Sequence, residues 1–203
     1  PHLGDAANPV VASVKSDTFN LEPGDKQLRI ASPARFCYNK GMTTSPPTRP
    51  GRVQQLNYIL RNYFLARRKP FLASFKVTYR CNLRCQQCPF YTLEAPDLSY
   101  AQACRILDQI YARGSRMLVI EGGEPLLWRD GNYRVHDLVA YARQRFFSVG
   151  LTTNGTLPLD VPSDVLWVSV DGLRETHNLL RGADIFDRVI ANARDAAAAL
   201  KRG

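Results

Sequence analysis

Three of the chain's five cysteines, Cys81, Cys85 and Cys88, fall within eight residues in the spacing C-x3-C-x2-C. The stretch that carries them, Tyr79 to Pro89, follows a run from Phe71 to Thr78 that reads as a buried strand. A loop so short has no core of its own in which to bury three thiols, so they read as metal ligands. Thiolates hold iron-sulfur clusters, usually one cysteine per iron, and three on a four-iron cluster leave one iron open to a substrate. Zinc is the competing reading. A structural zinc takes four protein ligands, however, and a catalytic one draws on histidine or carboxylate, whereas His2, His136 and His177 all lie far away in sequence. A disulfide framework is weaker still, because three clustered cysteines cannot pair evenly and no signal peptide is visible.

From Phe71 onward the pattern is strand, loop, helix, repeated, which argues for a parallel sheet with helices outside it. Ser99 and Gln102 form a capping box for a helix to about Arg113, with Ala103, Ile106, Leu107 and Ile110 as its buried stripe. Cys104, beside that stripe, reads as a small buried hydrophobe rather than a ligand. A second strand, Met117 to Ile120, precedes a helix from about Tyr133 to Arg145. That helix buries Val135, Leu138, Val139 and either Tyr141 or Ala142, and His136 on it reads as a surface or packing residue. A third strand, Ser148 to Thr153, leads through a proline-bounded connection, Leu157 to Pro162, to a fourth, Val165 to Val170, and then to a helix from about Ile185 to Lys201.

The front of the chain differs. Net charge is +9, and residues 1–69 carry eleven Lys and Arg against four Asp and Glu, while residues 70–203 carry sixteen against fourteen. Residues 1–50 show no sustained period and are expected to be an irregular, disordered extension, with Thr43 to Pro50 as a linker. The only methionine before Met117 is Met42, so the reading takes Met42 as the native start, with residues 1–41 upstream of it and Cys37 an incidental thiol. Residues 51–69 form a basic amphipathic helix in which Val53, Leu56, Ile59, Leu60, Tyr63 and Phe64 recur at helical spacing among arginines. Its apolar stripe is expected to cover the open base of a barrel. A membrane-surface or nucleic-acid contact is the sharper alternative. No apolar run is long enough to span a membrane.

The cysteine spacing resembles the signature of the radical S-adenosylmethionine (radical SAM) enzymes, which lies on the loop after the first strand of a partial (β/α)6 barrel. Glu121-Gly122-Gly123-Glu124-Pro125, after the second strand, is similar to the family's G-G-E-P segment. Thr152-Thr153-Asn154-Gly155 and Ser169-Val170-Asp171-Gly172 close the third and fourth strands in the expected order. The resemblance covers residues 70–203 and implies an α/β fold: an incomplete (β/α)6, TIM-type barrel of parallel strands, preceded by the basic helix and the irregular extension. Four strand-helix units are present where six are expected, so the reading is of a domain truncated after the fourth unit, with the fourth strand an exposed apolar edge.

The resemblance implies a [4Fe-4S] cluster on Cys81, Cys85 and Cys88, with S-adenosyl-L-methionine chelated at the open iron and cleaved to a 5′-deoxyadenosyl radical. It also implies that the backbone around Gly122, Gly123 and Glu124 meets the cofactor's amino group, that Asn154 and Ser169 serve its ribose, and that Arg181 pairs with its carboxylate. The bland readings are that Glu124 is a brace, that Arg181 makes a helix-entry salt bridge, that His177 is structural and that Asp171 braces the Gly172 turn. One departure is Gln87, which stands where many family members have an aromatic residue against the adenine; Phe90 or Tyr91 is the candidate to replace that packing. The segment Ser169 to Gly182 resembles the peptide-maturase and sulfatase-maturase subgroup. The expected partners are a peptide or small-molecule substrate, not identified, and a one-electron donor such as flavodoxin or ferredoxin, in a reducing, cytoplasmic setting; nucleic acid is disfavoured. The competing classes are a catalytically incomplete fragment, and a basic RNA- or membrane-binding module with a structural metal.

Overall fold

The computed structural model describes residues 11–14, 49–64 and 69–202; Cys37, Met42, Arg67 and Arg68 lie outside the described residues. In chain order the elements are β1 (Val11–Val14), α1 (Arg52–Phe64), β2 (Leu72–Thr78), α2 (Tyr100–Ala112), β3 (Met117–Gly122), β4 (Arg129–Asp130), β5 (Tyr133–Arg134), α3 (Val135–Arg143), β6 (Ser148–Thr153), β7 (Val165–Val168), α4 (Arg174–Arg181) and α5 (Phe186–Arg202). The main sheet runs β1-β2-β3-β6-β7. Every pair in it is parallel, with Leu72 opposite Met117, Met117 opposite Ser148 and Gly150 opposite Val165. This is the parallel α/β arrangement that the strand-loop-helix pattern implies.

Alternation along the strands sorts the two faces. Ala73, Phe75 and Val77, Leu118 and Ile120, and Val149 and Leu151 point one way and meet the apolar faces of α2 and α3. Trp128 and Phe146, both fully buried, complete that core. The opposite face is polar in part, for Lys76 Nζ reaches Glu121 Oε1 at 2.9 Å and the Ser74 hydroxyl bonds the same carboxylate. The rings of Tyr100 on α2 and Tyr133 on β5 stack with centroids 4.0 Å apart, and between α2 and α3 the Tyr141 hydroxyl donates to Asp108. The Ser99 hydroxyl accepts from Gln102 N at 3.2 Å while the Gln102 side chain accepts from Ser99 N, so the capping box forms as read.

Four expectations change. Within residues 1–50, read as irregular, Val11–Val14 form a strand beside β2, because the outer edge of β2 offers unpaired backbone groups that four extended residues satisfy. The helix α1 does lie at the base of the sheet: Tyr58 packs against Phe71 and Phe147, and its hydroxyl bonds Gly114 O, all three just before strands. Its apolar stripe is not core, however, since Val53 and Phe64 are 73% and 74% exposed and Leu56, Ile59 and Leu60 are exposed too. Tyr58 docks the helix, and the stripe faces outward. The helix read from Tyr133 begins at Val135, since Tyr133 and Arg134 pair with Asp130 and Arg129 in a short hairpin. Finally, α4 was not foreseen. Its eight residues hold few apolar positions to reveal a period, and it ends at Gly182, whose positive φ of 67° caps it.

Replacing Ser99 by alanine should lower stability by about 1 kcal/mol, and Trp128→Ala by about 3–5 kcal/mol. Val53→Ala should stay within about 0.5 kcal/mol, because the α1 stripe faces solvent. Urea melts of the three variants at constant m value check all three.

Candidate active site

In a parallel sheet the loops at the C-terminal strand ends gather on one side, and the cysteine loop, the Gly-Gly turn, Asn154, Ser169 and Arg181 all lie there. The loop after β2 is held by its neighbours rather than by a core beneath it. Gly123 N donates to Thr78 O and Glu124 N to Arg80 O, both at 2.8 Å, which fastens the turn after β3 to the loop's first residues. That approach is so close that a Cβ on Gly122 would lie 2.4 Å from Thr78 O, and one on Gly123 would lie 2.4 Å from Arg80 O. The glycines are therefore required by the loop itself. Since the Gly123 and Glu124 N–H groups are engaged, it is the turn's carbonyl oxygens that suit an amino donor.

Glu124 is fully buried and accepts three hydrogen bonds: from Leu126 N at 3.1 Å, Thr153 Oγ1 at 2.9 Å and Asn154 N at 2.8 Å. Burial pushes its carboxyl above the usual carboxylate range, against the downward pull of these three donors. This is the brace that sequence reasoning offered as the bland role. Asn154 continues the chain of bonds, its Nδ2 donating to Asn82 Oδ1 at 2.8 Å and lying 3.8 Å from Cys81 Sγ. Asn82 in turn donates to Thr156 Oγ1 at 2.8 Å, and the Thr156 N–H and hydroxyl both donate to Asn154 Oδ1. Asn82, Thr153 and Thr156 are bracing residues that the sequence reading missed, because short polar side chains after strands look like ordinary turn chemistry.

The other end of the loop meets α4. Gln86 N donates to Leu180 O at 2.9 Å, Arg181 Nη1 lies 3.8 Å from Cys85 Sγ, and Gln87 Nε2 reaches Asp171 Oδ2 at 3.4 Å. Arg181 is the last residue of α4, not a helix-entry residue, and its guanidinium faces Asp171: Nη2 donates to Oδ1 at 3.1 Å, while Nε lies 2.6 Å from Oδ2 without its N–H aimed at an acceptor. Asp171 thus does more than brace a turn. Ser169 stands just beyond β7, half-buried, its N–H bonded to Thr153 O at 2.9 Å. His177 is fully buried, as its structural reading implies; its Nδ1 accepts from Asp171 N at 3.2 Å and burial lowers its pKa. Cys104 is buried in the α2 core, and His136 pairs with Asp160 at 3.2 Å away from the site.

Cys81, Cys85 and Cys88 carry free thiols and pack beside the apolar floor of Leu83, Ile185 and Val189. Burial raises the Cys81 pKa most, and the charges of Glu124 and Cys85 add to it, while the Leu83 N–H and Asn154 oppose it. Three soft donors with no histidine or carboxylate among them suit iron-sulfur chemistry better than zinc. Among the described residues no three His, Cys, Asp or Glu side chains converge on a single ion, and a four-iron cube, with each thiolate on its own corner, does not need them to. Beside Cys81 opens a cleft of about 990 Å3, bordered by Tyr79, Tyr91, Leu126 and Leu157 and by Arg80, Arg129 and Arg134.

The model of the family described as the Radical SAM superfamily matches residues 75–202. Fe-coproporphyrin III synthase of Methanosarcina barkeri is 31% identical over 126 residues, 57% of this chain and 30% of that protein. The antilisterial bacteriocin subtilosin biosynthesis protein AlbA of Bacillus subtilis is 28% identical over 127 residues, 56% of this chain and 27% of that protein. Streptococcus suis SuiB, solved bound to S-adenosylmethionine, aligns with a TM-score of 0.53 and 21% identity over 70% of this chain and 35% of its own, a likeness of fold. The chain thus matches about a third of the length of these proteins. Because the family match takes in more than half of the chain and runs from β2 through α5, the chain belongs to the radical SAM superfamily.

Proposed function

We propose that Cys81, Cys85 and Cys88 hold a [4Fe-4S] cluster whose fourth iron takes the amino and carboxylate groups of S-adenosyl-L-methionine. When bound and reduced, such a cluster would supply the electron for splitting the cofactor's bond from sulfur to the 5′ carbon, which would give methionine and a 5′-deoxyadenosyl radical able to abstract hydrogen from a substrate. The observation that carries this reading is the fastening of the three-cysteine loop to the turn Gly122–Glu124, to Asn154 and to Arg181, all at one end of the sheet. Carbonyl oxygens of Gly122, Gly123 and Glu124 accept from the N–H groups of the cofactor's amino group. Arg181, held in place by Asp171, offers its remaining guanidinium donors to the cofactor carboxylate. Ser169 and Asn154 serve the ribose, Asn154 while also pinning the cysteine loop. Gln87 covers the adenine side, with Phe90 as the nearby aromatic surface.

The substrate is a peptide or a small molecule. A bacteriocin biosynthesis protein and a porphyrin synthase among the relatives support either class. The electron comes from a donor such as flavodoxin or ferredoxin, whose acidic surface suits a basic chain. No helix among the described residues is long and apolar enough to cross a membrane, and the oxidation-sensitive cluster calls for a reducing, cytoplasmic compartment.

Anaerobically reconstituted protein, given dithionite and S-adenosylmethionine, should release 5′-deoxyadenosine, detected by liquid chromatography, and Cys85→Ala or Cys88→Ala should abolish it. Release that persists in these variants would contradict the assignment. Glu124→Ala should cost roughly 3 kcal/mol, since it leaves buried donors unpaired. The raised Glu124 pKa means that the folded chain holds this proton more tightly than the unfolded one. Its contribution to stability therefore falls as pH rises from the ordinary carboxylate value to the raised one. Glu124→Gln should flatten that segment of a stability-against-pH curve measured by urea melts.

A further inference from the structure

The hairpin β4–β5 follows the turn that carries Glu124, and its two residue pairs face opposite ways. Asp130 opposite Tyr133 faces α2: Asp130 Oδ2 accepts from Tyr100 N at 2.8 Å, and Tyr133 stacks on Tyr100. By alternation, Arg129 opposite Arg134 faces the other way, and both arginines are exposed and border the cleft beside Cys81. Directly opposed side chains in a two-stranded ribbon have Cβ atoms about 5 Å apart, and like charges there repel. Among the described residues no carboxylate forms an ion pair with either arginine. Arg129 makes no ion pair among the described residues, and the Arg134 guanidinium meets only the Gly131 and Tyr133 carbonyls, each at 3.3 Å. Asp130, next to Arg129, is engaged by the Tyr100 N–H, and Asp137, the nearest acid in sequence to Arg134, by the Arg134 backbone N–H at 2.7 Å. Arg80, the third arginine of the cleft, is already paired with Asp97. Glu94 is the one acid on the lining and forms no ion pair with either arginine of the hairpin.

We propose that this cleft is the substrate site and that the Arg129–Arg134 pair binds an anionic group of the substrate, a carboxylate or phosphate. Two guanidiniums side by side present convergent donors that fit one oxyanion or two neighbouring ones, and the anion cancels the repulsion between them. The rest of the cleft selects the substrate's body: Tyr79, Tyr91, Leu93, Leu126 and Leu157 form an aromatic and aliphatic wall, so the ligand is an amphipathic anion, apolar over most of its surface and charged at one end. Cys81 and Asn82 close the cleft on the side of the cysteine loop. This assignment rests on the proposed radical chemistry, because it is proximity to that loop that makes an anion site a substrate site.

The test is a fluorescence titration of the full, anaerobically reconstituted chain with two dyes: the dianionic bis-anilinonaphthalene disulfonate and the neutral N-phenyl-1-naphthylamine. In R129Q/R134Q the dianionic dye should bind about tenfold more weakly or worse. The neutral dye should bind as before, and Arg61→Gln on α1 should change neither. Equal binding of the dianion in R129Q/R134Q and the parent, or a parallel loss of both dyes, overturns the proposal. On the unmodified chain, pyrophosphate or citrate should displace the dianionic dye from its arginine-dependent site, and the stronger competitor tells phosphate from carboxylate; displacement by neither overturns it without any variant. Release of 5′-deoxyadenosine in the absence of substrate should survive in R129Q/R134Q. Its loss there would reassign the arginines to the cofactor and overturn the proposal, whereas its absence in the parent would sink the radical chemistry and leave the dye result standing on its own.

Discussion

The buried carboxylate of Glu124 is the contact on which the site depends. The three-cysteine loop has little hydrophobic burial to hold it, since it contributes only Leu83 and Cys85 to a small apolar floor, with Cys81 and Cys88 packed beside it. It is held by polar bonds from the strand ends around it. Glu124 joins the end of β3 to the end of β6 through Thr153 and Asn154, and the same stretch of backbone grips Arg80 O and Thr78 O. Burying a carboxylate is costly unless its lone pairs are met, and three donors meet these. The cost is accepted where rigidity of the strand ends matters most, since Asn154 relays it to Asn82 and to the edge of Cys81.

The rest of the fold follows from a sheet whose two faces do different things. The face toward α2 and α3 is apolar and tightly closed, and supplies the stability. The opposite face carries Lys76, Glu121 and Ser74 in one polar group. The margins remain exposed: β7 presents Val165 and Trp167, and α1 presents its apolar stripe to solvent.

What could be read from the sequence followed from how local its cause was. The strands β2, β3 and β6, the capping box at Ser99 and the buried stripe of α2 are fixed by periodicity and by neighbours within a few residues, and they are legible. The cysteine loop is legible because three like ligands at short spacing have few other uses. The docking of α1 is not, since its periodic stripe satisfies the same pattern whether it faces a core or water, and only the Tyr58 contacts decide. Nor is the partner of Arg181, which lies ten residues back at Asp171 across the turn into α4. Asn82 and Thr156 were invisible for the same reason: the bond between them spans 74 residues. The opposed arginines of β4–β5 required the hairpin register, and two-residue strands leave no periodic trace.

The central claim is that the loop of Cys81, Cys85 and Cys88 presents a four-iron cluster with one iron open to S-adenosylmethionine. Electron paramagnetic resonance of the anaerobically reconstituted, dithionite-reduced chain, recorded with and without the cofactor, tests it most directly. The account predicts the signal of a reduced [4Fe-4S] cluster whose g values shift when S-adenosylmethionine is added. No cluster signal, or a signal indifferent to the cofactor, would contradict it.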